Sequence, residues 1–102
     1  MELLSNASLR GIKPETIVGM IIVDQVYQRY GERCQFTSIA DGQHARSSLH
    51  YVGFAFDVRT ISINPDNMQT IVLEIEKCLN GEWDVVLEDD HLHVEYQPKG
   101  PL

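Results

Sequence analysis

Two short stretches gather the residues that could do chemistry. The first runs Ser-Leu-His-Tyr-Val-Gly-Phe-Ala-Phe-Asp from Ser48 to Asp57, and in it His50 and Asp57 can bind a metal. Gly53 lies midway, where a chain turning between two ligands favours a residue free to take positive φ. Beyond it Ala55, Asp57 and Arg59 alternate with Phe54, Phe56 and Val58, which makes a strand with one apolar face and one face carrying the carboxylate. The second stretch, Asp90-His91-Leu92-His93-Val94-Glu95-Tyr96, alternates in the same way. Its His91, His93 and Glu95 share one face, and Leu92, Val94 and Tyr96 share the other. His50, Asp57 and one histidine of the second stretch make a three-ligand zinc site with a position left for water. Imidazole ligands favour zinc over magnesium or calcium, which want oxygen. Yet histidines on strands are more often surface residues than ligands. Spacing alone leaves a metal site and a plain polar strand face both open.

The elements that must carry these residues can be read in order. Residues Met1 to Lys13 read as an irregular lead-in. Pro14 suits the first position of a helix and Glu15 its positive end. Met20, Val23, Tyr27 and Tyr30 recur at helical spacing, and Gly31 ends the run. Ile21, Ile22 and Val26 widen the apolar stripe, so this helix, from about Pro14 to Tyr30, is expected to be well buried. Arg33 to Ile39 reads as a strand, and Ala40 to Ser48 as a polar loop with an Asp41-Gly42 turn. A further strand is expected from about Phe54 to Ile61. Asn64-Pro65 then opens a second helix whose Met68, Ile71, Val72, Ile75 and Leu79 share a face, closed by Gly81. Trp83 to Leu87, the acidic turn Glu88-Asp89-Asp90 and His91 to Tyr96 form a β-hairpin. The tail Pro98-Lys99-Gly100-Pro101 is expected to fray. The fold class is α+β: a small antiparallel sheet with helices packed on one face and the histidines on the other.

Composition narrows the function classes. The 102 residues make one domain with one core. The formal net charge of −7 argues against a nucleic-acid partner, which calls for a basic face, and against docking on anionic membranes. No apolar run is long enough to span a bilayer, and no basic-then-apolar leader follows Met1. The expectation is a protein made in the cytoplasm without a signal peptide, with a monomer as the working oligomeric state. Cys34 and Cys78 lie in apolar contexts and are expected to be free, buried thiols.

The spacing Ser48-x-His50-x-x-Gly53-x-Ala55-x-Asp57, followed by Asp90-His91-x-His93, resembles the signature of a zinc peptidase family. Its members are the D-Ala-D-Ala carboxypeptidases and L-alanoyl-D-glutamate endopeptidases of bacterial cell-wall enzymes and phage endolysins, which share a fold with the hedgehog signalling domain. The resemblance implies that His50, Asp57 and His93 bind one zinc ion and that Asp90 is the catalytic acid and base. It also implies that His91 stabilises the tetrahedral intermediate and that Ser48 contacts substrate. Glu88-x-x-His91 repeats the spacing of Asp90 to His93, which makes Glu88 the rival base. Glu95 is a candidate for orienting a histidine. The implied substrate is a peptidoglycan stem peptide, cut at the bacterial cell wall by an enzyme of phage or prophage type that a separate lysis protein releases to the wall. One departure stands out: family members carry an arginine shortly after the Thr-Ser of the first strand, and Thr37-Ser38-Ile39-Ala40-Asp41 has none. Arg46, assigned to substrate binding, and Arg59 are the candidates to replace it, with His44 a further residue of the cleft. That gap keeps a second class in view, a zinc-binding module of the same fold without turnover.

Overall fold

The computed structural model describes residues 1–4, 7–39 and 55–97. Seven elements follow in order: β1 (Glu2–Leu3), α1 (Pro14–Arg29), β2 (Gln35–Ile39), β3 (Ala55–Arg59), α2 (Pro65–Cys78), β4 (Trp83–Leu87) and β5 (His91–Tyr96). The strands form one sheet in the order β1-β2-β3-β5-β4. All pairs are antiparallel except β1 with β2, which is parallel. The domain is α+β, but its sheet is mixed and not purely antiparallel. The lead-in expected to be irregular supplies the extra strand: Glu2 N–H donates to the Cys34 carbonyl and Leu4 N–H to that of Phe36, each at 2.9 Å. Arg33 and Glu2 pair beside this ladder.

The helix ends follow from their capping residues. Pro14 opens α1, and Tyr30 closes it just before Gly31, whose φ of 69° needs a residue without a Cβ. Asn64 caps α2 by accepting the Asp66 N–H at 3.0 Å, with Pro65 behind it. Glu32 accepts from both the Asn64 N–H and the Asn67 amide, each at 3.1 Å, and so ties the end of α1 to the start of α2.

Both helices cover one face of the sheet. Met20, Val23, Val26 and Tyr27 of α1 and Ile71 and Ile75 of α2 meet Phe36, Phe56, Val58, Leu92 and Val94 in a single buried core. The phase of β3 and β5 accounts for this. Phe56 pairs with Val94 and Val58 with Leu92, so the residues between them, Asp57 and His93, must face away from the helices. Ile21 departs from its expected place: it is 45% exposed, beside exposed Ile17 and Val18. A cylinder laid on a sheet buries one stripe, and α1 is apolar over more of its circumference than the sheet can cover. Both cysteines are free, Cys34 buried and Cys78 only half-buried. Burial pushes the Cys34 thiol up to about 12.

Gly19 sits in α1 because the Trp83 indole lies on it. A Cβ there would come within 2.5 Å of the ring. That ring is held in turn by Phe56, at 6.2 Å between centroids, and by Tyr96, at 5.1 Å. Gly19→Ala gains about 1 kcal/mol of helix propensity against about 1–3 kcal/mol of overpacking. The expected outcome is a net loss of about 1 kcal/mol by chemical denaturation, with Trp83 fluorescence altered. A more stable variant would mean that the ring moves aside freely.

Candidate functional site

The sheet face away from the helices carries the chemistry. Asp57 of β3 and His93 of β5 are directly opposed in the antiparallel register, and Arg59 is opposed to His91. Cross-strand partners project to the same side, so four of the candidate side chains share one patch. His93 donates from Nδ1 to Asp57 Oδ1 at 2.7 Å and from Nε2 to Glu95 Oε1 at 3.1 Å. Glu95 therefore does orient a histidine. Its other oxygen accepts from the Gln97 amide at 3.0 Å. On the far side of Asp57, His91 Nε2 stands 3.9 Å from Oδ2, while His91 Nδ1 donates to Asp90 Oδ1 at 2.7 Å. The polar row thus runs Glu95, His93, Asp57, His91, Asp90.

Two groups in this row are electrostatically displaced. The hydrogen bond to Asp57 raises the His93 imidazole to about 9, with Glu95 adding to it and partial burial opposing both. The hydrogen bond from His91 holds the Asp90 carboxyl below the usual carboxylate range, and Arg59 adds a smaller pull of the same sign. The His93 value sets a pH dependence for the metal-free protein. A histidine raised from 6.5 to about 9 on folding contributes stability that is complete below pH 6.5 and lost as pH rises through 9. Melting of chelator-treated protein is expected at progressively lower temperature between those values, and His93→Gln should flatten that segment. An unchanged slope in the variant would assign the dependence to other groups.

Next to the row lies a cleft of about 330 Å³ lined by Thr37, Arg59, Ile61, Asp90 and His91. Its floor is pinned from two sides. The buried Tyr27 hydroxyl donates to the Arg59 carbonyl at 2.9 Å, and the Thr60 N–H donates to the Asp90 carbonyl at 3.1 Å. The β2–β3 register shifts by one residue between Phe36 and Ser38. This bulge inserts Thr37 where alternation alone would have no place for it. Glu88, the rival base, is not among the residues that line the cleft, and its N–H closes the β4–β5 turn on the His91 carbonyl at 2.8 Å.

Asp57, Asp90, His91 and His93 are thus brought together. Arg46, Ser48 and His50, with His44 and Gly53, lie outside the described residues. Among the described residues no three His, Cys, Asp or Glu side chains form a metal-binding group. The donor chemistry of Asp57 and His93 nonetheless fits two ligands of a zinc site. They are an adjacent carboxylate and imidazole, with Glu95 behind the imidazole as metal-bound histidines commonly require. Arg59 was named from sequence only as a stand-in for an arginine missing elsewhere; the alternation of β3 already put it on the Asp57 face. Thr37 carried no such signal. Among the described residues no helix is long and apolar enough to cross a membrane. No family model matches the chain, and neither a curated protein nor a solved structure matches it.

Proposed function

We propose that the chain is a zinc peptidase that hydrolyses a peptide bond of the peptidoglycan stem peptide. The observation that supports this most is the opposed pair Asp57 and His93, with Asp90 and His91 hydrogen-bonded beside it on the sheet face away from the helices. The spacing of these residues in the sequence, with Ser48 and His50 ahead of them, resembles that of the zinc D-Ala-D-Ala and L-alanoyl-D-glutamate peptidases.

In this reading His50, Asp57 and His93 hold the metal. Bound zinc supplies a Lewis acid and a water whose pKa is brought to about 7. The chain's own groups do the rest. Glu95 fixes the His93 ring, and His91 keeps the Asp90 carboxyl anionic and aimed into the cleft. Asp90 takes one proton from the attacking water as the water oxygen bonds to the scissile carbonyl carbon. It passes that proton to the amide nitrogen as the carbon–nitrogen bond breaks and the amine leaves. Only as the imidazolium, with Nδ1–H on Asp90, would His91 have a second N–H at Nε2, 3.9 Å from Asp57, to offer the oxyanion.

Purified muropeptides incubated with zinc-loaded protein and read by mass spectrometry test the proposal. One new amine and one new carboxylate at a stem-peptide bond are expected, absent after chelation and restored by zinc. Intact muropeptides with fully loaded protein would leave the zinc-binding module as the better reading.

A further inference from the structure

Among the described residues β4 is an edge strand of the sheet, and only its β5 side is paired. The phase of that pairing shows which backbone groups face outward. At the two ends of the ladder Glu88 N–H donates to the His91 carbonyl at 2.8 Å and Gln97 N–H to that of Glu82 at 2.7 Å. Antiparallel strands alternate bonded and non-bonded pairs, so between those ends Asp84 and Val86 turn their N–H and C=O groups to β5. Trp83, Val85 and Leu87 therefore aim theirs away from the sheet. Edges are ordinarily blunted by shortness, proline, lysine or a bulge. The opposite edge, β1, is two residues long. β4 keeps an unbroken register over five residues with neither proline nor lysine, and its Val86 and Leu87 are each 46% exposed.

The charges along this edge decide what fits it. Glu82, Asp84, Glu88 and Asp89 surround the three outward residues, and Asp84 already stands opposite Glu95. A second copy added antiparallel must keep Trp83, Val85 and Leu87 in the bonded positions. Centred on Val85, it sets Glu82 against Glu88 of the other copy. Shifted by one bonded pair either way, it sets Asp84 against Asp84 or Asp84 against Glu88. Like charges directly opposite destabilise a strand pair, so each of these registers is penalised. A cation at the same positions reverses the sign. We propose that the β4 edge takes up an extended segment of a basic partner protein as a further strand. Its lysines or arginines lie opposite Asp84 and Glu88, and the apolar residues between them continue the face of Val85 and Leu87. Neither zinc nor turnover enters this contact, which goes beyond the peptidase reading.

The probe is an acetylated, amidated Lys-Val-Lys-Val-Lys-Val-Lys peptide, with the same peptide carrying Glu for Lys as the control. Amide exchange of the ¹⁵N-labelled full chain is followed by NMR. With the basic peptide at about ten times its Kd, the Trp83, Val85 and Leu87 amides should exchange about 10-fold more slowly. Those of Asp84 and Val86, already bonded to β5, should stay as they are, and the acidic peptide should protect none. Asp84→Lys should weaken the basic peptide by about 3- to 10-fold. Val85→Pro, which removes an outward N–H and no ladder bond, should abolish the protection. Should that variant fail to fold, Asp84→Lys decides alone. Binding without the alternating pattern would be attraction to net charge and would overturn strand addition, as would no binding at millimolar peptide. Unchanged affinity in Asp84→Lys would overturn the choice of a basic partner. Protection of the three amides without peptide, or protection that grows with protein concentration, would give the edge to the chain itself or to a second copy and sink the proposal.

Discussion

On the proposed ligand set, alanine in place of His93 is expected to abolish zinc binding. Wild type dialysed against trace zinc should carry one ion per chain by elemental analysis, and His93→Ala should lose most of it, as should Asp57→Ala and His50→Ala. The reason is geometric. Asp57 and His93 are opposed across two central strands, which sets the carboxylate and the imidazole side by side. His44→Ala should keep its zinc. Glu95 touches only the far nitrogen of the His93 ring, so Glu95→Gln should retain the site but weaken it by about 10- to 100-fold, as loss of an orienting partner does. Full occupancy in His93→Ala would move the ligand role to His91, the other histidine of that strand face.

Much of this face was legible before any coordinates. Strict alternation over Phe54 to Arg59 and over His91 to Tyr96 is a period-two signal, and period two leaves only one way to divide a strand between core and solvent. Asp57, His91, His93 and Glu95 fell on the side they occupy because Phe56, Val58, Leu92 and Val94 had to be buried. Three of the four helix ends were equally readable, since Pro14, Gly31 and Asn64-Pro65 each answer a local backbone demand; α2 instead closes at Leu79, ahead of Gly81, with Asn80 taking the left-handed turn at φ 61°. What failed was non-local. Glu2–Leu3 is too short to show any period, and it becomes a strand only because Gln35 and Phe36 lie alongside it. The Thr37 bulge is a mismatch between two strands and is written in neither alone. Ile21 looked buried because helical spacing shows which residues share a stripe, not how wide a stripe the sheet will cover. The partnership of His91 with Asp90 was invisible for a related reason. Adjacent residues of a strand point to opposite faces, and Asp90 reaches the imidazole only because it lies in the turn before β5.

That turn position is what the decisive substitution probes. Asp90 is 72% exposed at its side chain and contacts neither Asp57 nor His93 by any described hydrogen bond or ion pair. Removing its carboxylate should leave the Asp57–His93–Glu95 row, the hairpin and the core as they are. The Thr60 N–H bond to the residue 90 carbonyl is a backbone contact and survives the change. Asp90→Ala is therefore expected to bind zinc stoichiometrically and to melt as the wild type does. Yet it should cleave muropeptides about 100- to 10,000-fold more slowly, the usual contribution of a positioned general base. Glu88→Ala, altered at a residue that does not line the cleft, should cleave normally. His91→Gln offers an internal check, because it frees Asp90 from the hydrogen bond that holds its carboxyl low. If Asp90 is the base, the acidic limb of the rate profile should move to higher pH in that variant. Normal turnover by Asp90→Ala would place the base elsewhere and make Glu88 the next residue to replace. A wild type that binds zinc, folds and cleaves nothing would identify the row as a metal-holding module.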